Sequence, residues 1–257
     1  MKLKLIALAA VLAAAGSANA TVIDSGTAGN GGLMFSIWDG ANSYSRNLGF
    51  SINSFETGLA AAGNFTASFA ADTTFTSFLG TADLAALKWN VVATDRQGAV
   101  RVLETFTAPM PLTTKPSDSV RGLASGTGVF ITDVNLKLAA ADSATYAVGT
   151  KGYAGGSAFG DNGAGALNFS NAGTFANSTY ASGLSFMRIN ALATGILPST
   201  YTPYLDGGNS VKLYLDGSNA LNIAAVTAVP EPESFAMLLA GLGLMGAIAR
   251  RRNKKSV

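Results

Sequence analysis

Large apolar side chains recur at every second position along much of this chain, and that period constrains the fold more than any other feature. Leu48, Phe50 and Ile52 alternate with Asn47, Gly49, Ser51 and Asn53. Phe65, Ala67 and Phe69 alternate with Thr66 and Ser68. Trp89, Val91 and Ala93 alternate with Lys88, Asn90 and Val92, and Val211, Leu213 and Leu215 with Lys212, Tyr214 and Asp216. Successive strand residues point to opposite faces, so each run presents one apolar face to a core. Glycine-rich turn sequences separate the runs. Asp95–Gly98 reads as a hairpin turn. Tyr204-Leu205-Asp206-Gly207-Gly208-Asn209 is echoed ten residues later by Tyr214-Leu215-Asp216-Gly217-Ser218-Asn219, which reads as two consecutive hairpin corners. The expected class is all-β, mainly an antiparallel β-sandwich with a few short helices.

Three helices are expected. One covers Ser54–Ala62 and is ended by Gly63. One covers Thr81–Leu87 with Thr81 as its cap. The third covers Val129–Ala140, where Phe130, Val134 and Leu138 make a stripe and Asp133 pairs with Lys137. The same residues also fit strand alternation, and helix is the preferred assignment. The Gly-rich loop from Gly149 to Gly165 is expected at the surface.

Both ends depart from this pattern. Lys2 and Lys4 precede an uncharged apolar run, Leu5 to Ala15, and Ala18-Asn19-Ala20 follows. A basic start, a short apolar run and a small-x-small site describe a secretory signal peptide, residues 1–20, cut after Ala20 by signal peptidase. Near the other end Val229-Pro230-Glu231-Pro232-Glu233-Ser234 leads into Phe235–Ala249, which holds no charge, and then into Arg250-Arg251-Arg252-Asn253-Lys254-Lys255. Two prolines in three residues hold the backbone extended and deny a regular helix there. As a helix the apolar stretch would span about 22 Å. That is short against a hydrocarbon core of about 30 Å, and snorkelling Arg and Lys side chains make up part of the difference. The basic cluster is expected in the cytoplasm, which leaves the rest of the chain outside it.

This tripartite tail resembles the PEP-CTERM sorting domain: Val229-Pro230-Glu231-Pro232, then a Leu- and Gly-rich span with Leu242-Gly243 and Gly246, then Arg250-Arg251-Arg252. The resemblance implies recognition by a membrane-embedded exosortase, a cut near the Pro-Glu-Pro segment, and transient residence in the inner membrane before the cell surface or the extracellular space. It also implies a Gram-negative setting with exopolysaccharide and biofilm matrix, and exopolysaccharide as a further partner. The expected layout is a signal peptide (1–20), an exported β-rich domain (21–228) and a sorting signal with a transmembrane helix (229–257).

The formal charge of +2 belongs to the ends. Lys2, Lys4 and the five basic tail residues account for seven of the 17 Lys and Arg, and Glu231 and Glu233 for two of the 15 acids. The segment between them keeps ten basic and thirteen acidic residues, a net of −3. No nucleic-acid partner is expected, because that needs a basic patch on the domain itself. The chain has no cysteine and no histidine, which removes disulfides, His-based triads and His-ligated metals together.

Residues that could serve catalysis or ligand binding also fit plainer roles. Gly155-Gly156-Ser157-Ala158-Phe159 lacks the closing glycine of a nucleophile elbow. Glu56 and Glu104 are the only glutamates between the two ends, and a glycan-hydrolysing pair would have to form from carboxylates that meet only in space. Asp161-Asn162, Asp206 and Asp216 could offer oxygen to calcium, but each lies in a turn sequence. Trp38, Tyr44, Tyr153, Tyr201 and Tyr204 could form a sugar-stacking face or a core. The expected function is therefore non-enzymatic: an exported envelope or matrix protein with a structural or interaction role, without cofactor or metal. A carbohydrate-binding module is the alternative, and a secreted glycan hydrolase stands behind it. The site residues are Val229, Pro230, Glu231 and Pro232 for processing, and Arg250, Arg251 and Arg252 as the cytoplasmic stop.

Overall fold

The computed structural model describes residues 12–13, 22–62, 65–84, 86–106, 115–155, 173–174 and 183–225. The chain divides into two units, Met1–Val226 and Thr227–Val257, and every described residue lies in the first. In chain order the elements are β1 (Leu12–Ala13), β2 (Gly32–Trp38), β3 (Asn42–Ser51), α1 (Ile52–Ala62), β4 (Thr66–Phe69), α2 (Thr73–Thr81), β5 (Lys88–Asp95), β6 (Arg101–Phe106), α3 (Ser117–Leu138), β7 (Ser143–Ala147), β8 (Gly173–Thr174), β9 (Leu184–Asn190), β10 (Thr200–Pro203), β11 (Leu205–Asp206), β12 (Asn209–Leu215) and β13 (Leu221–Ala225). They form one sheet in the order β1-β4-β13-β12-β9-β6-β5-β2-β3-β7, with β10 on β9, β11 on β12 and β8 on β5. Pairing is antiparallel throughout the described strands except where Leu12–Ala13 lies parallel to Ala67–Ser68.

The all-β, antiparallel expectation holds, and the two layers come from one sheet that curls. β3 and β4 lie near opposite ends of the strand order, yet Phe50 of β3 meets Phe69 edge-on at a centroid distance of 6.3 Å and Phe65 at 5.9 Å. The Arg46 guanidinium lies 5.6 Å from the Phe69 ring centroid and donates to the Ala70 carbonyl at 2.7 Å. Inside the curl lies a core of buried side chains that includes Phe35, Phe55, Trp89, Phe186, Leu213 and Ile223. α1 and α2 complete it with Ile52, Phe55, Phe75 and Phe78.

The outer face carries a second core under α3. Met34, Trp38, Val92, Val102, Met187 and Ile189 pack there against Val120, Leu123, Ala124, Phe130, Ile131, Val134 and Leu138. The central strands are therefore covered on both sides. Asn90, Val92 and Thr94, the partners of the apolar positions of β5 in the alternation, are buried rather than solvated.

Each helix corrects or extends the sequence reading. α1 begins two residues early because Ser51 and Ser54 cap one another. The Ser54 hydroxyl accepts from the Ser51 N–H at 2.8 Å, and the Ser51 hydroxyl accepts from the Ser54 N–H at 3.2 Å. The expected helix at Thr81–Leu87 is not formed; Thr81 is the last residue of α2. Asp72 caps that helix instead, its Oδ1 accepting from the Phe75 N–H at 2.7 Å. Phe75 and Phe78, three apart, then bury one face. At the far end the Thr81 hydroxyl donates back to the Phe78 carbonyl at 3.2 Å. α3 includes the expected stripe and starts twelve residues earlier, at Ser117. Glycines and serines make Ser117–Gly128 a poor helix by propensity, and burial of one face against the sheet overrides that. Gly128 lets the Arg96 guanidinium lie against the helix: a Cβ there would fall 2.6 Å from its central carbon, and the side chain would have to shift.

The echoed segments are two hairpin corners, as expected. Asp206 pairs with Asn209 across Gly207 and Gly208, whose φ values of +57° and +83° define a tight turn that favours glycine. In the second corner the Asp216 carboxylate accepts from the Ser218 hydroxyl (2.6 Å), the Ser218 N–H (2.8 Å), the Ala220 N–H (3.0 Å) and the Asn222 amide (3.1 Å). These bonds, the Ser218 hydroxyl first, pull its pKa down to about 2. An aspartate held below its ordinary value of ~3.9 stabilises the fold above that value and stops doing so as pH falls through the folded value. Denaturant midpoints measured from pH 5 downward should fall between about pH 4 and pH 2, and Asp216→Asn should flatten that part of the profile.

Candidate functional site

β13 ends at Ala225, four residues before Val229. Val229, Pro230, Glu231, Pro232, Arg250, Arg251 and Arg252 lie outside the described residues, as does the expected membrane span. The expected signal peptide, other than Leu12–Ala13, and the Asp161-Asn162 pair also lie outside them. Among the described residues no helix is long and apolar enough to cross a membrane.

Among the described residues, the two glutamates do not meet, nor do the two turn aspartates. Glu104 of β6 shares the α3-facing side with Val102 and Phe106 and is fully buried. Glu56 lies on α1 and bonds Arg101, on the opposite side of β6. The two glutamates thus occupy opposite faces of the sheet. Asp206 and Asp216 stand at the two ends of β12, about 20 Å apart for seven residues of strand. Asp206 is engaged by the Phe65 N–H at 2.6 Å. Of the five aromatics considered for sugar stacking, Trp38, Tyr44 and Tyr153 are buried. Tyr201 accepts from the Lys115 N–H at 3.1 Å, and Tyr204 donates to Glu56 at 2.6 Å. These rings are core and latch residues.

That latch is a polar cluster built on Glu56, and no motif announced it. The Glu56 carboxylate accepts from Arg101 at 2.7 Å, Arg188 at 3.3 Å and the Tyr204 hydroxyl at 2.6 Å. Arg101 also reaches Asp95 at 3.1 Å and Asn53 at 2.6 Å. Burial, and then the bond to Glu56, push the Tyr204 pKa up, so its hydroxyl remains a donor. The cluster ties α1 to β5, β6, β9 and the Tyr204 corner. Its carboxylate is enclosed by three donors, which suits a structural tie better than a proton-transfer group. The available signal was indirect: one of two glutamates in the segment, with arginines at strand positions 101 and 188.

A cleft of about 530 Å³ opens between α2 and the strands β3 and β7. Thr73, Thr74, Ser77 and Thr81 line it from the helix, Asn42 and Thr145 from the strands, and Phe78 from below. Among the described residues no charged side chain lines it. Tyr44 holds the helix against β3, with its ring 4.8 Å from Phe75 and its hydroxyl donating to Asp72 at 2.6 Å.

No curated protein and no solved structure matches the chain. A family model described as PEP-CTERM protein-sorting motif matches residues 228–253, the stretch that contains the Val229–Pro232 segment, the apolar run and the arginine cluster. The chain therefore carries a PEP-CTERM protein-sorting motif at residues 228–253.

Proposed function

We propose that this chain is an exported, non-catalytic envelope or matrix protein whose tail holds it briefly in the inner membrane until an exosortase cuts at the Val229–Pro232 segment. The β domain then reaches the cell surface or the extracellular matrix, where it serves a structural or interaction role alongside exopolysaccharide. The observation that carries this reading is the order of motif, uncharged run and arginine cluster inside the matched residues 228–253. The fold supports it in one respect. β13 pairs with β12 on one side and β4 on the other and ends at Ala225, so a cut beyond Val229 spares every described strand of the sheet. Arg250–Arg252 keep the tail's far end in the cytoplasm until the cut is made.

Replacing Pro230-Glu231-Pro232 with three alanines is expected to leave an uncut, cell-bound form, seen as a larger band in the membrane fraction and loss of the released protein. Normal release of that variant would rule the segment out as the processing signal.

A further inference from the structure

The geometry points to a binding site for an uncharged, polyhydroxylated ligand, a segment of neutral glycan, in the cleft between α2 and strands β3 and β7. This goes beyond the sorting reading and does not depend on it. The volume of about 530 Å³ falls in the range of small-ligand sites, ~300–1,000 Å³. The chemistry of the lining sets the ligand class. The side chains of Asn42, Thr73, Thr74, Ser77 and Thr145 converge on the cleft, and none of them makes a hydrogen bond to another described residue. Hydroxyl and carboxamide groups both donate and accept, which matches sugar hydroxyls that do the same. An apolar ligand would strip water from five polar groups and leave them unpaired.

An ionic ligand fares no better, because the nearby charges are engaged elsewhere. Asp72 accepts from Tyr44 and from the Phe75 N–H. Arg46 bonds the Ala70 carbonyl, and Lys137 bonds the Thr145 carbonyl and covers the Tyr146 ring. Phe78, buried in the inner core, closes the floor of the cleft. The helix that supplies most of the lining is fixed at both ends, by the Asp72 cap and by the Thr81 back-bond, so the backbone that carries the hydroxyls is set before a ligand arrives.

The test uses the full chain in a detergent without a sugar headgroup. The probes are cellohexaose, maltohexaose and a galactomannan hexasaccharide, with a hyaluronan hexasaccharide as the acidic comparison. Ligand-observed NMR reads binding. Ser77→Trp on α2 and Thr145→Trp on β7 each fill the cleft from an exposed position, and Thr76→Trp on the same helix lies outside the lining. The expected result is that at least one neutral probe binds. Its affinity should fall at least tenfold in each cleft-filling variant that keeps the parent's thermal midpoint, and stay unchanged in Thr76→Trp. Failure of all three neutral probes, preference for the acidic one, or parent-like binding by a folded Ser77→Trp or Thr145→Trp would overturn the proposal. None of these outcomes would touch the processing of the tail.

Discussion

Phe35→Ala is expected to lower the stability of the domain by about 3–5 kcal/mol, the range for deleting a buried aromatic ring. Phe35 lies at the centre of the inner core. Its ring meets Tyr44 at 6.2 Å, Phe75 at 6.2 Å and Trp89 at 6.3 Å, all three near edge-on. Those partners come from β3, α2 and β5, so the cavity left by alanine would border both the sheet and the helix that closes its curl. Collapse into the cavity is restricted, because the Tyr44 hydroxyl is tied to Asp72. A typical domain has only about 5–15 kcal/mol in hand, so the variant should be largely unfolded at modest denaturant. Equilibrium denaturation by tryptophan fluorescence checks this, with Trp89 as a direct neighbour of the cavity. A loss under about 1 kcal/mol would mean that Phe35 does not hold the two layers together.

Glu56→Ala ranks second, with an expected loss of about 2–4 kcal/mol. The substitution removes the one acceptor shared by Arg101, Arg188 and Tyr204. Arg101 keeps Asp95 and Asn53, whereas among the described residues Arg188 keeps the side chain of Asn190 alone, at 3.0 Å. The Tyr204 hydroxyl would be left without its acceptor in a part-buried position. Partial exposure moderates the loss, since the Arg188 side chain is 40% exposed and water can reach it. A double-mutant cycle with Tyr204→Phe separates the terms. The expected coupling is about 1–3 kcal/mol, because the two groups share one hydrogen bond in one network. Additive effects would show that the latch is not cooperative.

What the sequence revealed depended on how local the cause was. Strands β3, β4 and β12 were legible because each keeps one face on the core, so period two survives in the residues. β5 was legible only on its inner face, since α3 covers the other side and makes Asn90 and Thr94 buried positions. The twin corners at Asp206 and Asp216 announced themselves because turn chemistry is written in adjacent residues. α2 was missed because Thr73–Thr81 has no charge pattern and its cap, Asp72, is also the partner of Tyr44 from a distant strand. The first half of α3 was missed because tertiary burial outweighs a glycine-rich sequence. The Glu56 latch joins residues up to 148 apart in the chain, which no local pattern encodes. The sorting segment is the opposite case: its parts are contiguous, and residues 228–253 carry the family match.

The intact mass of the mature protein isolated from its own host tests the central claim most directly, because it fixes both termini at once. Export and sorting predict a chain that begins at Thr21 and ends near Pro230–Pro232. A chain that begins at Thr21 and still ends at Val257 would contradict the account and make the tail a permanent anchor.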